Sequence, residues 1–216
     1  MRREEKLKAI TIKEFDKVAE SFDNDNPSVY NTCKYDYEEL LKEVTKEKFK
    51  DYLDAGCGTG ALIHLIQCSY PERNYTGIDL SRKMIEVAKK RKMKQAVFIH
   101  GDCEALPFED NTFDVITCSM SFHHYPNPEK FLTNCMRVLR VDGRLIIREI
   151  APQSNLLRWL FNHIEMPLLN RFATKGDVKC YGLEELRDMV KAVGFQPMVV
   201  EHRKKMRLHI VCRKIE

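Results

Sequence analysis

The sequence predicts an α/β protein with a doubly wound, mostly parallel seven-stranded sheet and an antiparallel last strand. Three observations predict it. Short apolar runs ending near glycine or aspartate alternate with stretches of helical length and period, the rhythm of right-handed β-α units. A glycine cluster, Gly56-Cys57-Gly58-Thr59-Gly60, stands at the first strand-to-helix junction. The last two apolar runs are separated by a short basic turn, which suits an antiparallel pair.

The elements follow in order. Residues 1–47 read as two helices around a polar stretch at 21–31. Residues 51–56 form a strand ending in glycine, and 61–68 have the length and apolar content of a helix. A second strand covers 74–79. Ser81 can cap the next helix, where Met84, Ile85 and Ala88 fall at helical spacing. Lys89-Lys90-Arg91-Lys92 closes it with cations suited to the negative end of the helix dipole. Strands at 96–100 and 113–119 come next. Asn127-Pro128 reads as an N-cap followed by proline at the first helical position, with the helix running through Phe131, Leu132, Cys135 and Leu139. A turn at Asp142-Gly143 leads into a strand at 144–150. Residues 154–172 are rich in Leu, Trp and Phe and read as a helix broken near Pro167. An amphipathic helix at 183–193 is closed by Gly194. Strands at 196–201 and 206–213 complete the chain, which shows no internal repeat and no low-complexity segment.

Composition bounds the function classes. The 216 residues suit one structural domain, and 44% apolar against 31% charged residues allow a sizeable core. No stretch approaches the roughly 20 apolar residues of a membrane-spanning helix. The charged start, Met1-Arg2-Arg3-Glu4-Glu5-Lys6, leads into no apolar export signal. A net charge of +4 does not by itself call for a polyanionic partner. The eight cysteines, Cys33, Cys57, Cys68, Cys103, Cys118, Cys135, Cys180 and Cys212, contain no C-x-x-C pair, so they read as reduced thiols of a cytoplasmic protein with no metal.

The chemistry is concentrated at expected strand ends. In Leu53-Asp54-Ala55-Gly56-Cys57-Gly58-Thr59-Gly60 the glycines allow unusual backbone angles and let a ligand lie against the main chain. The helix start beyond them favours a negative group. Asp79 ends the second strand, where a carboxylate can accept from both hydroxyls of a ribose. The spacing is G-x-G-x-G, whereas dinucleotide binders use G-x-G-x-x-G, so a pyrophosphate fits it less well. Asp102, just past the third strand, can accept from an exocyclic amine, or can cap its own turn.

As a set, Asp54–Gly60, Asp79, Gly101-Asp102 through Phe113-Asp114, and Ser119–His124 resemble the class I S-adenosylmethionine-dependent methyltransferases. The closest likeness is to the small single-domain branch of the ubiquinone/menaquinone biosynthesis methyltransferases. The resemblance covers about residues 12–200, including Phe15–Asp23, where Phe22 stands in place of the usual tyrosine. It implies a Rossmann-like methyltransferase fold over 48–216, a helical cap at 1–47 and a substrate-side insertion at 151–181. It also implies the cofactor S-adenosyl-L-methionine. Asp54, Gly56, Cys57, Gly58 and Gly60 would wrap its methionine portion, and Ser119 would lie under the amino group. Asp79 would hold the ribose diol, Leu80 would pack on the adenine, and Asp102 would face the adenine amine beside the Cys103 backbone.

The expected reaction is in-line methyl transfer to a small-molecule acceptor, with an RNA or protein acceptor and a non-catalytic cofactor-binding protein as alternatives. Positioning of this kind can supply about 7–11 kcal/mol. His123 and His124 follow the fourth strand and are the candidate catalytic residues, either as a base or to orient the acceptor; packing of the loop is the competing role. Leu156, Leu157, Trp159, Leu160, Phe161 and Ile164 would line an apolar acceptor wall, with a core or dimer helix and contact with a membrane surface as alternatives. The basic runs at 89–94 and 203–207 read as solvated faces, so no nucleic-acid partner is expected. No stable membrane insertion is expected, and the chain reads as a monomer or homodimer.

Overall fold

The computed structural model describes residues 2–23, 27–172 and 176–216, with the backbone alone for residues 27–32, 169, 170 and 172. Residues 24–26 of the expected polar stretch and 173–175 of the expected insertion lie outside the described residues. Two N-terminal helices, α1 (Arg3–Val18) and α2 (Pro27–Val44), precede the sheet. The second reaches back into the stretch expected to be irregular, with Pro27 at its first position, where a missing N–H costs nothing.

The β-α alternation follows: β1 (Asp51–Ala55), α3 (Ala61–Ser69), β2 (Asn74–Asp79), α4 (Arg82–Lys90), β3 (Ala96–His100), β4 (Phe113–Ser119), α5 (Pro128–Val138) and β5 (Leu139–Ile150). Ser81 caps α4 as expected, its hydroxyl accepting from Met84 N at 3.1 Å. Asn127 occupies the N-cap position of α5 without a side-chain cap. Its backbone N–H and side-chain amide both donate to the buried Glu104 instead. The expected turn at Asp142-Gly143 is absorbed into β5 as a bulge, with Asp142 at φ +65° and a register jump against β4 between Phe113 and Val115.

The 154–172 region is helical, with its irregular turn just before Pro167. An α-helical stretch, α6 (Asn155–Leu160), runs into a π-helical turn at Phe161–Glu165 and then α7 (Met166–Phe172). Pro167 has no N–H for the His163 carbonyl, and the wide turn just before it absorbs the misfit. Then come α8 (Leu183–Ala192), β6 (Gln196–Arg203) and β7 (Arg207–Arg213). Gly194 ends α8 at φ +104°, a left-handed position that suits glycine.

The seven strands lie in the order β3-β2-β1-β4-β5-β7-β6. The strands β1 to β5 pair in parallel, while β7 runs antiparallel to both neighbours. Alternation sorts the side chains to two faces. Leu53, Ile116, Leu145 and Ile147 pack with Phe131 and Leu132 of α5 and Leu186 and Val190 of α8. Tyr52, Tyr75, Val115, Ile146 and Val211 pack on the other face with α2, α3 and α4.

One buried polar cluster fastens α2 to the sheet. The Asp36 carboxylate accepts from Arg148 Nε of β5 and from Arg207 Nε of β7, each at 2.8 Å, and Arg148 also pairs with Glu39. Arg144 donates to the carbonyls of Glu43 and Val44, so the C-terminal end of α2 meets a guanidinium. Asp36→Ala leaves Arg148 with half its anionic partners and Arg207 without its Asp36 pair. It should lower the unfolding free energy by about 3–5 kcal/mol, the range for a broken buried pair. Urea denaturation reads this, and a loss below about 1 kcal/mol would show that water or Glu39 compensates.

Candidate active site

The carboxyl ends of β1, β2 and β4 open onto one cavity of ≈ 400 Å³. The backbone creates it. After β1 the chain cannot continue in the sheet, because Gly56 and Cys57 both donate to the Ile78 carbonyl, at 2.8 and 3.0 Å. Gly56, Gly58 and Gly60 all take positive φ, from +51° to +77°. A Cβ at Gly56 would sit 2.0 Å from Ser121 Oγ, so the loop after β4 can close on β1 only if residue 56 has no side chain. A Cβ at Gly58 would meet no atom within 4 Å: the space beside it is the cavity.

All the sequence-predicted site residues except Gly60 line this cavity: Asp54, Gly56, Cys57, Gly58, Asp79, Leu80, Asp102, Cys103, Ser119, His123 and His124. Gly60 lies behind the wall at the start of α3, where a Cβ would reach the Phe98 ring at 2.9 Å. Three carboxylates define the polar side. The Asp54 carboxylate accepts from Thr117 Oγ1 at 2.7 Å, and the Thr117 hydroxyl accepts from Tyr52. Burial pushes Asp54 up to about 7, against the Thr117 hydrogen bond and reinforced by the Asp79 charge. The Asp79 carboxylate accepts from the backbone of Gly58 and Ser81, each at 2.8 Å; burial still raises it. Asp102 does more than the sequence indicated: one oxygen caps its own turn at Glu104 N, and the other pairs with Lys8 Nζ at 2.6 Å. Ser119 Oγ is buried on the wall with no hydrogen-bond partner among the described residues.

The far end of the cavity holds the histidines. His123 Nδ1 donates to Glu149 Oε2 at 2.6 Å, while Glu149 Oε1 accepts from Ser121 N and Phe122 N. His123 Nε2 lies 3.6 Å, and His124 Nδ1 3.3 Å, from Asp177 Oδ1. Burial alone would strip the charge from His123, but Glu149 and then Asp177 outweigh it and raise its pKa to about 9. Phe15 and Val18 of α1 and Phe22 just beyond it also line the cavity, and the Phe15 ring meets the His124 ring edge-on at 5.1 Å. A second, smaller cavity of ≈ 210 Å³ shares His123 and Asp177 with the first and is lined by Ile150, Pro152, Phe161, Met166 and Met206 among others.

Sequence reasoning missed Lys8, Tyr125, Glu149 and Asp177. Tyr125 stood next to the quoted histidines and its hydroxyl bonds Ser121 at 2.8 Å, but Lys8, Glu149 and Asp177 sit in segments without a motif. The expected apolar wall is corrected. Leu156, Leu157, Trp159 and Ile164 point outward, 47–67% exposed, and of the six named residues only Phe161 lines a cavity described above. The short α6 and the π turn rotate their apolar side away from the sheet.

The methyltransferase-domain family profile matches residues 53–147. The demethylmenaquinone methyltransferase of Thermotoga maritima is 37% identical over 153 residues, 69% of this chain and 65% of that protein. That of Staphylococcus aureus is 30% identical over 173 residues, 72% of each chain. The chain thus spans just under two thirds of the Thermotoga relative. Among solved structures, the 1,6-didemethyltoxoflavin-N1-methyltransferase of Burkholderia thailandensis superposes with a TM-score of 0.72 at 17% identity, covering 100% of this chain and 92% of that one, a likeness of fold.

Gly56→Ala tests the loop closure. The left-handed φ and the clash with Ser121 should together cost about 2–5 kcal/mol of stability. A loss under about 1 kcal/mol in urea unfolding would mean that the Ser121 loop yields freely.

Proposed function

This chain belongs to the S-adenosylmethionine-dependent methyltransferase family, and on that premise we propose that it methylates a small, largely apolar molecule at the His123 end of its main cavity. The observation that carries this reading is one cavity wall bearing the glycine turn, the three aspartates and the histidine pair, with a second cavity opening beside the histidines. Its relatives are named for demethylmenaquinone, which supports an apolar acceptor.

The residues present fit the cofactor. Ser119 Oγ, without a partner among the described residues, and the buried Asp54 carboxylate suit a cationic amino group, and the space at Gly58 suits a chain lying along the backbone. Asp79 retains lone pairs for ribose hydroxyls after serving Gly58 and Ser81. Leu80 offers an apolar face to the adenine, and Asp102 with the Cys103 backbone and Cys57 would complete the cradle. S-adenosylmethionine supplies a methyl group already activated on a sulfonium. The protein's own work is to align the acceptor and to exclude water, tasks for the Phe15, Val18 and Phe22 roof and for the walls around His123 and His124. We assign residues 1–47 to a cap and 151–181 to the acceptor side, and read the chain as a cytoplasmic monomer or homodimer that does not bind nucleic acid.

Two measurements test the reading. Calorimetry should find S-adenosylmethionine bound, and incubation with quinols and phenols should yield S-adenosylhomocysteine; binding of NAD in place of S-adenosylmethionine would sink it. The affinity should also depend on pH through Asp54. This carboxyl is neutral below about 7 in the empty site and must lose its proton to face a cation. Affinity should therefore rise with pH toward 7, approaching tenfold per unit on the acid side, and flatten above it. Asp54→Asn should bind more weakly with a flat profile. Asp79→Asn, which weakens hydrogen bonds to a charged acceptor, should lose about 10–100-fold in affinity.

A further inference from the structure

The His123 end of the cavity contains more than a methyl-transfer site requires. Four side chains converge there from three parts of the chain: His123 and His124 from the turn after β4, Glu149 from β5, and Asp177 from the segment before α8. Glu14 of α1 lines the same cavity. Glu149 is 4% exposed and Asp177 19%, so two anions sit close together with little water. Two imidazoles brought this close to one carboxylate can hold protons or share one divalent ion.

The geometry favours the ion. We propose that His123 Nε2, His124 Nδ1 and Asp177 Oδ1 form a binding site for a divalent transition metal of the zinc type, with the fourth position open toward the acceptor. The ligand atoms of these three residues lie within 4.8 Å of one another. In a tetrahedron, metal bonds of about 2.0–2.2 Å set donor–donor edges of about 3.3–3.6 Å. The two edges through Asp177 measure 3.6 and 3.3 Å. The donor set, two imidazoles and one carboxylate, selects zinc or iron over magnesium, which prefers oxygen and retained water.

Glu149 supplies the second observation. A ligating histidine usually gives its other ring N–H to a carboxylate, which fixes the tautomer and turns the free nitrogen to the metal. His123 does this: Nδ1 meets Glu149 at 2.6 Å and leaves Nε2 for Asp177 and the cavity. Glu149 is itself held by Ser121 N and Phe122 N, so the carboxylate that orients the ring is fixed in place. His123 and Asp177 line both cavities, so an ion between them stands where the two spaces meet. If the proposed methyl transfer holds, the ion would act there as a Lewis acid on an acceptor oxygen; the metal site itself stands without that reading.

The test is titration of chelator-treated protein with Co2+, read by visible absorption in the absence of cofactor. One equivalent should produce the d–d bands of low-coordinate Co2+, and equimolar Zn2+ should displace them. His123→Ala and Asp177→Asn should each abolish the bands. Asp177 is partly exposed, so its variant serves if the His123 variant fails to fold, as judged by circular dichroism. Glu149→Gln should retain the bands and weaken the affinity by about 10–100-fold. Absence of bands in the wild-type protein, or binding that survives Asp177→Asn through exposed Cys68 or elsewhere, would overturn the proposal. S-adenosylmethionine calorimetry on the same samples reads the cofactor reading separately, so the two can fail independently.

Discussion

The structure depends on the point where β1 and β2 stop running side by side. The Ile78 carbonyl takes the N–H groups of both Gly56 and Cys57, and one residue later the Asp79 carboxylate takes those of Gly58 and Ser81. These four hydrogen bonds turn the chain out of the sheet and hold the start of α3 and α4 in place. They also leave the carboxyl ends of the strands uncovered, which is where open parallel sheets bind ligands. A chain turning this sharply beside a neighbouring loop needs residues without side chains, and the contact from Gly56 to Ser121 shows how little room remains. The glycines are thus demanded by packing at 56 and 60 and by the left-handed φ of +51° at 58.

The sheet also fixes what faces this opening. Side chains alternate, so Leu53 and Ala55 enter one core and Tyr52 the other, while Asp54, held by the Thr117 hydroxyl, lines the cavity. The N-terminal helices complete the wall. Beside their apolar contacts they are tied by polar ones: Lys8 to Asp102 and Glu104, Asp16 to Ser81, Asp23 to Thr59, and the Asp36 cluster to β5 and β7. The roof rests on the very aspartate and turn residues that line the cavity.

How much of this was legible in the sequence depended on the range of the cause. The strands β2, β3 and β4 fell on their expected residues, and Ser81 capped α4, because apolar runs and caps act locally. Residues of the glycine turn were legible because one short segment carries the whole pattern. Where the outcome depended on an encounter between distant segments, the sequence was silent. Glu149 matters because β5 brings it 2.6 Å from His123, and Asp177 because a segment more than fifty residues away returns to the same place. Arg148 reads as a strand cation, yet it is buried against Asp36. The outward turn of Leu156 and Trp159 could not be read either, since composition gives the apolar content of a helix but not the direction of its face.

The buried carboxylates carry a cost that falls only on the empty protein. Asp54 and Asp79 are both raised by burial, a sign that the cavity solvates their charge poorly. A cationic occupant removes that penalty, and whatever binds the folded form alone stabilises it by mass action. The arrangement that recognises the methyl donor thereby couples the stability of the fold to occupancy of the cavity.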